Sequence, residues 1–473
     1  MRTRRLAQCI SGLAAVLAMV TGCSGESVPS QPPGAVQQTI EHTPNARALS
    51  YLASPMRRKD VSENILYGFT SSGPYSPVAS VIADRTGALY GTLQDGGDFN
   101  GHCYSVSGCG GVFKLTPNGS SYTESVLYEF TGGSDGGGPF DNLYMDSSGA
   151  LYGTAAYWGS TSCGLSLGCG TVFKLTPSGS TYTESTIYTF KGGTDGASPV
   201  AGLIADDSGN LYGTTQAGGD SAEDGTIFEL VRKRHSYTER VLHRFAGCSN
   251  KSAPCDGANP SASLYRDNSG SLFGTTIYGG AYSCPANNLC GTVFELSRGK
   301  ERVLYNFQGG SDGANPSGGL IADTHGSLYS TTGNGGGANV PACNLGSIVR
   351  GCGTVFKLAP ATKGYTEAVL YAFQGGLDGA APQGGVIRDS SGNLYGTTQL
   401  GGYCSSCGGY GTVFELAAAG SKYTESVVFA FICNYSDCTG QAPRAGLIEI
   451  NGTFYGTTFQ DYNGLGEVFS VTL

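Results

Sequence analysis

A block reading Leu-Tyr-Gly-Thr recurs at Leu89, Leu151, Leu211, Leu272, Leu328, Leu394 and Phe454, with Phe273 and Ser330 the clear departures within it. Successive copies lie 56 to 66 residues apart. Seven copies at a near-constant period describe an array of one supersecondary unit per copy, which limits the possible folds more than any other feature of the chain. The order inside a unit is constant. A Pro followed by a strand of small residues ends in Asp and a tight turn, as at Pro199 to Asp206 then Ser208-Gly209. The Leu-Tyr-Gly-Thr strand and a Gly-rich loop follow, then Gly-Thr-Val-Phe-Lys-Leu (Gly170 to Leu175) and Tyr-Thr-Glu-Ser-x-x-Tyr-x-Phe (Tyr182 to Phe190). Four short β-prone segments separated by turn residues predict a four-stranded antiparallel meander, the unit of a propeller blade.

The ends of the array sharpen this. A lone fourth-type segment, Glu63 to Phe69, precedes the first unit, while the last unit stops after its third strand, Gly466 to Val471. Pairing these two closes a ring and removes the free sheet edge of an open array. The expectation is an all-β, seven-bladed β-propeller of four-stranded antiparallel blades. Composition agrees: 77 Gly and 19 Pro make up about a fifth of 473 residues, against a usual share of roughly 12%. That excludes a mostly helical chain, and the absence of a three-residue Gly period excludes collagen. Only 13% of residues are charged, while 28 Tyr and 20 Phe supply apolar surface to bury, which argues against disorder.

The units, read as Leu-Tyr-Gly-Thr-Thr, Gly-Gly, Gly-Thr-Val-Phe, Leu-Tyr-x-Phe, Asp-Gly and Pro, resemble the bacterial GloVer tandem repeat from about Glu63 to Leu473. That resemblance implies a surface-anchored repeat protein and brings no biochemical activity with it. Blade three departs in lacking a cysteine pair in its Gly-rich loop (Gly218 to Gly225), and blade seven in having a shortened loop (Asp461 to Gly466).

Residues 1–23 read as an export leader: Arg2, Arg4 and Arg5, an apolar run from Leu13 to Val20 too short to span a bilayer, then Val20-Thr21-Gly22-Cys23. The last four residues resemble a lipobox, which implies lipidation of Cys23 and anchoring in the bacterial cell envelope, at the outer membrane or cell surface. The alternative is an ordinary signal peptide. Residues 24–60, rich in Pro, Gln, Ser and Thr, read as a disordered tether with a reach of about 35 Å, and residues 61–473 as one propeller. Losing three arginines with the leader moves the formal charge from −9 to −12. An acidic, sparsely charged surface does not suit nucleic acid; the partners expected are the membrane, through the anchor, and a glycan or surface protein, with the propeller itself a monomer.

Apart from Cys9 and Cys23, fourteen cysteines form seven local pairs: Cys103/Cys109, Cys163/Cys169, Cys248/Cys255, Cys284/Cys290, Cys343/Cys352, Cys404/Cys407 and Cys433/Cys438. Even number, local pairing and export argue for disulfides, with zinc the alternative at Cys404-x-x-Cys407. Five pairs lie between second and third strands and two in links between blades. Both connections emerge on one face of a blade, so this face carries stiffened loops suited to binding.

Sevenfold symmetry provides a test for a site: what every blade has serves the blade, and a site must break the pattern. The link aspartates Asp135, Asp195, Asp256, Asp312 and Asp378 repeat, so they read as turn formers, with a ring of calcium or sugar contacts as the alternative. The hairpin aspartates (Asp84, Asp146, Asp206, Asp267, Asp323, Asp389) and Glu124, Glu184, Glu239, Glu367 and Glu425 repeat likewise. Against the small residues that otherwise follow each Pro, Asp141, Asn142, Gln383 and Arg444 stand out as ligand candidates near one channel mouth. The bland reading is an Asp141–Arg444 pair plugging the ring. Tyr157, Trp158, Tyr278, Tyr282 and Tyr403 in the Gly-rich loops could stack on sugar rings. The five histidines (His42, His102, His235, His243, His325) hold unrelated positions, and neither a nucleophile elbow nor a phosphate loop is present, so no metal and no cofactor is expected. The expected function is a non-enzymatic, lipid-anchored binding propeller. The alternatives are a hydrolase or lyase of extracellular polysaccharide working through Asp141 and Arg444, and a purely structural envelope component.

Overall fold

The computed structural model describes residues 61–97, 103, 107–119, 121–219, 223–246, 256–280, 290–337, 343, 351–402, 409–432, 439–461 and 463–473. The leader, Cys23 and the tether lie outside the described residues. Seven four-stranded antiparallel sheets follow one another in chain order, six of them meanders such as Ile204–Ala205, Leu211–Thr215, Thr226–Arg232 and Tyr237–Arg244. The seventh is completed by the amino-terminal strand: Ser62–Gly68 pairs antiparallel with Glu467–Thr472, from Ser62↔Thr472 to Gly68↔Glu467. The chain is therefore a seven-bladed propeller closed by its two ends, as the sequence predicts.

The recurrent tetrapeptide is explained one residue at a time. Its Leu is buried in the blade interior, as at Leu89, Leu151 and Leu394. Its Tyr donates to the hairpin aspartate six residues earlier, from Tyr90 to Asp84 (2.9 Å), Tyr152 to Asp146 (3.1 Å) and Tyr329 to Asp323 (2.9 Å). Its Gly lies opposite a third-strand Phe, and a Cβ on Gly91 would come 2.6 Å from Phe113 Cζ. In five blades its Thr reaches across to the next blade: Thr92, Thr154, Thr331, Thr397 and Thr457 donate to the carbonyls of Asp141, Ala201, Gly384, Ala445 and Ala79, whereas Thr214 and Thr275 are buried without a partner. Blade five has Ser330 in place of Gly, and its hydroxyl turns to the carbonyls of Gly318 and Gly319 (3.0 Å each).

The space cleared by each Gly is filled by phenylalanines that join neighbouring blades. Phe130 meets Phe173 edge-on, and the same contact recurs at Phe190–Phe228, Phe245–Phe294, Phe307–Phe356, Phe373–Phe414 and Phe431–Phe469. Phe69, from the amino-terminal strand, makes the seventh with Phe113 at 5.0 Å.

In one respect the structure differs from expectation. The segment from Pro199 to Asp206 reads as a strand, yet only Ile204–Ala205 pairs. Near the axis these segments pack on each other's backbone: a Cβ on Gly385 would lie 2.5 Å from Gly319 O, and one on Gly202 would lie 2.9 Å from Asn142 O. Small residues there allow close convergence of seven segments rather than strand pairing.

Phe69 is buried on both sides of the closing junction. Truncating it (Phe69→Ala) is expected to destabilise the ring by about 3–5 kcal/mol, the usual cost of emptying a buried Phe site, measured as a fall in the urea unfolding midpoint.

Candidate functional site

The first segments of the blades converge on a central channel of about 180 Å³, and Asp141, Asn142, Gln383 and Arg444 all line it. The structure thus brings four sequence candidates together, without pairing Asp141 to Arg444. Asp141 Oδ2 accepts from Gly202 N (2.7 Å) and Ser263 Oγ (2.9 Å), and Oδ1 from Asn142 N (2.7 Å), so this carboxylate ties blades two, three and four. Burial raises its pKa and the three hydrogen bonds oppose that shift. Gln383 is held from blade five, where Ser317 Oγ lies 3.1 Å from both its carbonyl and Oε1.

Arg444 lies elsewhere on the rim. Its Cζ sits 3.7 Å from the Phe459 ring centroid, a cation–π contact, and burial holds its pKa down to about 10. Its Nη2 is buried without a hydrogen-bond partner, as is Asn142 Oδ1. Facing Arg444 is Asp95, which sequence reasoning missed. Burial pushes its carboxyl up to about 6, against a hydrogen bond from Ser76 and the charge of Arg444. Its position is fixed by a two-residue pairing of Pro74–Tyr75 with Asp95–Gly96. The signal was present: the positions equivalent to Asp95 are Tyr157, Ala217, Tyr278, Asn334, Leu400 and Gln460, so blade one alone has a carboxylate there.

Tyr157 is packed edge-on against Phe140 (5.4 Å) and Trp158 (5.7 Å), and burial with the nearby Asp95 raises its hydroxyl pKa. Trp158 is half-buried against the core cluster containing Cys103 and Cys109, and Tyr278 is half-buried with its backbone paired to Ala258. Tyr282 and Tyr403 lie outside the described residues.

Disulfides join Cys103 to Cys109, Cys163 to Cys169 and Cys343 to Cys352, with Cα separations of 5.3, 5.6 and 5.1 Å, and Cys290 is also disulfide-bonded. Cys248, Cys255, Cys284, Cys404, Cys407, Cys433 and Cys438 lie outside the described residues. Inter-blade links pair with the starts of the Gly-rich loops, at Gly137↔Tyr157, Ala197↔Ala217 and Ala380↔Leu400, so both connections share the face on which the bridges sit. Such bridges persist in oxidising surroundings, which puts the ring outside the cytoplasm. Among the described residues no helix is long and apolar enough to cross a membrane.

The repeating acids are structural where their partners are seen. Asp135 accepts from Tyr128 Oη, Thr131 N, Thr131 Oγ1 and Gly133 N at 2.7–3.1 Å. Asp378 accepts from Tyr371 Oη, Gln374 N and Gly376 N.

The Gloeobacter/Verrucomicrobia repeat model matches residues 105–343 and 341–473. The chain belongs to this repeat family. No curated protein matches it. Solved structures with a similar fold include a Bacteroides uniformis protein described as a candidate 6-phosphogluconolactonase (13% identity, 76% of this chain and 87% of that one, TM-score 0.44). Others are a Lactobacillus plantarum protein (11%, 75% and 85%, TM-score 0.44) and a Xanthomonas campestris gluconolactonase (12%, 88% and 91%, TM-score 0.40).

Several half-buried acids of this repeat propeller, and the buried Glu467, have raised pKa values. Burial pushes Glu239, Glu367 and Glu425 up to about 7, and Glu467, near Glu63 and Asp461, up to about 8. The folded ring then keeps protons that the unfolded chain has released. This contribution to stability is full below the ordinary carboxyl pKa of about 4.3 and is lost as pH rises through about 7 to about 8. The urea midpoint is expected to fall between pH 5 and pH 8.5, and Glu467→Gln to flatten the upper part of that fall.

Proposed function

We propose that this protein is a non-catalytic binding propeller of the cell envelope, anchored through lipidated Cys23, that takes the end of a hydroxyl-rich ligand, a glycan terminus, at the channel mouth of its disulfide face. The observation that carries this reading is the pair of unsatisfied groups lining the channel: Arg444 Nη2, a donor, and Asn142 Oδ1, an acceptor. Buried polar atoms without partners are costly in a folded protein, and a polyol supplies both kinds of partner at once. The volume of about 180 Å³ is smaller than the roughly 300–1,000 Å³ of sites that enclose drug-sized ligands, which suits one sugar unit rather than a chain. Asp141, already saturated by three hydrogen bonds, contributes shape rather than chemistry.

A glycan array probed with the full chain is expected to return terminal-sugar ligands. Arg444→Met, which keeps the stacking volume over Phe459, is expected to weaken binding at least tenfold with an unchanged unfolding midpoint. An array with no ligand, or equal binding by the variant, removes this reading.

One observation favours a second reading, a polysaccharide-cleaving enzyme. Asp95, at about 6 beside Arg444, has the pKa of a general acid at near-neutral pH. Release of reducing ends from a polysaccharide, lost in Asp95→Asn while the fold is kept, would establish it in place of the binding reading; no turnover of any polysaccharide tested would dismiss it.

A further inference from the structure

One arrangement repeats at four blade junctions. A fourth-strand tyrosine donates to the link aspartate that follows: Tyr128 to Asp135, Tyr188 to Asp195, Tyr305 to Asp312 and Tyr371 to Asp378, at 2.5 to 3.0 Å. A glutamate from the next blade's fourth strand stands beside them, Glu184, Glu239, Glu367 and Glu425 in turn. There the phenol donates a hydrogen bond to the aspartate, so that pair is matched without a cation. The junction of blades three and four keeps both carboxylates, Asp256 and Glu301, and replaces the tyrosine with His243.

That exchange alters the chemistry. Tyrosine brings a hydroxyl proton, whereas neutral imidazole brings a nitrogen lone pair. His243 Nε2 and Asp256 Oδ2 are 3.0 Å apart, and donor atoms of His243, Asp256 and Glu301 all lie within 4.8 Å of one another. Two donors each about 2.1 Å from a shared ion stand about 3.0–3.4 Å apart, so the His–Asp edge already has the spacing of two ligands. Glu301 needs only a side-chain adjustment to close the third edge. Its Oε1 is buried without a hydrogen-bond partner, as are those of Glu239, Glu367 and Glu425, but only here does an imidazole join it. The charged groups acting on Glu301 are His243 and Asp256; Glu239 has Arg244 and Lys191 to offset its charge, while Glu367 and Glu425 have an aspartate as their only charged neighbour, so the imidazole is what sets Glu301 apart. Two carboxylates converge, then, with no lysine or arginine acting on Glu301. The His243 and Asp256 side chains are 20% and 16% exposed, which leaves an ion a way in.

We propose that His243, Asp256 and Glu301 bind one divalent transition-metal ion of the Zn²⁺ class at the junction of blades three and four. One imidazole with two carboxylates suits Zn²⁺, Co²⁺ or Mn²⁺ better than Ca²⁺ or Mg²⁺, which take oxygen ligands. The ion bridges the fourth strand of blade three, the link after it and the fourth strand of blade four, so it joins two blades where four other junctions use a tyrosine hydroxyl on a link aspartate. Expectation from sequence pointed away from metal because the histidines are unrelated to each other; the structure supplies the partners as carboxylates from two blades.

The test uses the full chain, stripped with chelator and titrated calorimetrically with Zn²⁺, together with Co²⁺ absorption and the shift of thermal midpoint with Zn²⁺. The wild type is expected to bind one ion tightly and to gain thermal stability from it. His243→Tyr restores the residue found at four other junctions (Tyr128, Tyr188, Tyr305 and Tyr371), so it retains the fold, and it keeps every cysteine and the other four histidines. It is expected to lose at least about 100-fold in Zn²⁺ affinity, since even outer-shell partners of metal ligands are worth 10–100-fold, along with the Co²⁺ spectrum and the thermal shift. Glu301→Gln is expected to weaken binding in the same direction. A wild type without saturable one-to-one binding, a His243→Tyr chain that binds as the wild type does, or a Glu301→Gln chain of unchanged affinity overturns the proposal and leaves His243–Asp256 as a plain ion pair.

Discussion

Each blade meets its neighbour through an edge-on contact between two phenylalanines, with centroids 5.0 to 5.2 Å apart at all seven junctions. Much else follows from fitting that pair. The third-strand ring lies over the second strand, so the residue beneath it in six blades has no side chain. A register shift just before the third-strand Phe recurs in blades one to six, for instance between Val112 and Phe113 and between Val172 and Phe173. Edge-to-face geometry adds about 0.5–1.5 kcal/mol per pair to the burial of the rings themselves. Seven copies make a ring whose stability is distributed evenly, with no single hydrophobic centre.

How much of this was legible depends on whether the information repeats. Leu-Tyr-Gly-Thr and its spacing carry the blade number, the strand order and the terminal pairing, because seven copies average out local ambiguity. The short inner strands were not legible. Pro199 to Asp206 has strand-like residues, and what limits its pairing is the crowding of other blades' backbones at the axis, which no local pattern encodes. Asp141 was legible as an exception but not in its role, since its partners Gly202 and Ser263 come from two other blades. Asp95 and His243 show in the sequence only as breaks in aligned columns. Their significance depends on Arg444 in one case and on Asp256 and Glu301 in the other, contacts that only the closed ring brings about.

The distribution of exceptions is informative in itself. Tyr-to-Asp, Thr-to-carbonyl and Phe-to-Phe contacts are the shared scaffold, in which the tetrapeptide threonines of blades three and four, Thr214 and Thr275, are without a partner at Oγ1. Around the channel mouth the chain leaves residues outside that repeated set, Arg444 at Nη2 and Asn142 at Oδ1, without partners. A repeat fold allows this because the loss at one blade is borne by six intact copies of the same interactions, and function can accumulate wherever one copy drifts.

Closure through the two ends has a temporal side. Ser62 is hydrogen-bonded in register with Thr472, so partners in the final sheet are separated by nearly the whole propeller. A chain synthesised from its amino terminus has to hold Ser62–Gly68 as an unpaired strand until Glu467–Thr472 arrives. Pairings so distant in sequence form slowly and expose an edge in the meantime. The strand Glu467–Thr472 is therefore the latch, and its loss would leave all seven blades without closure.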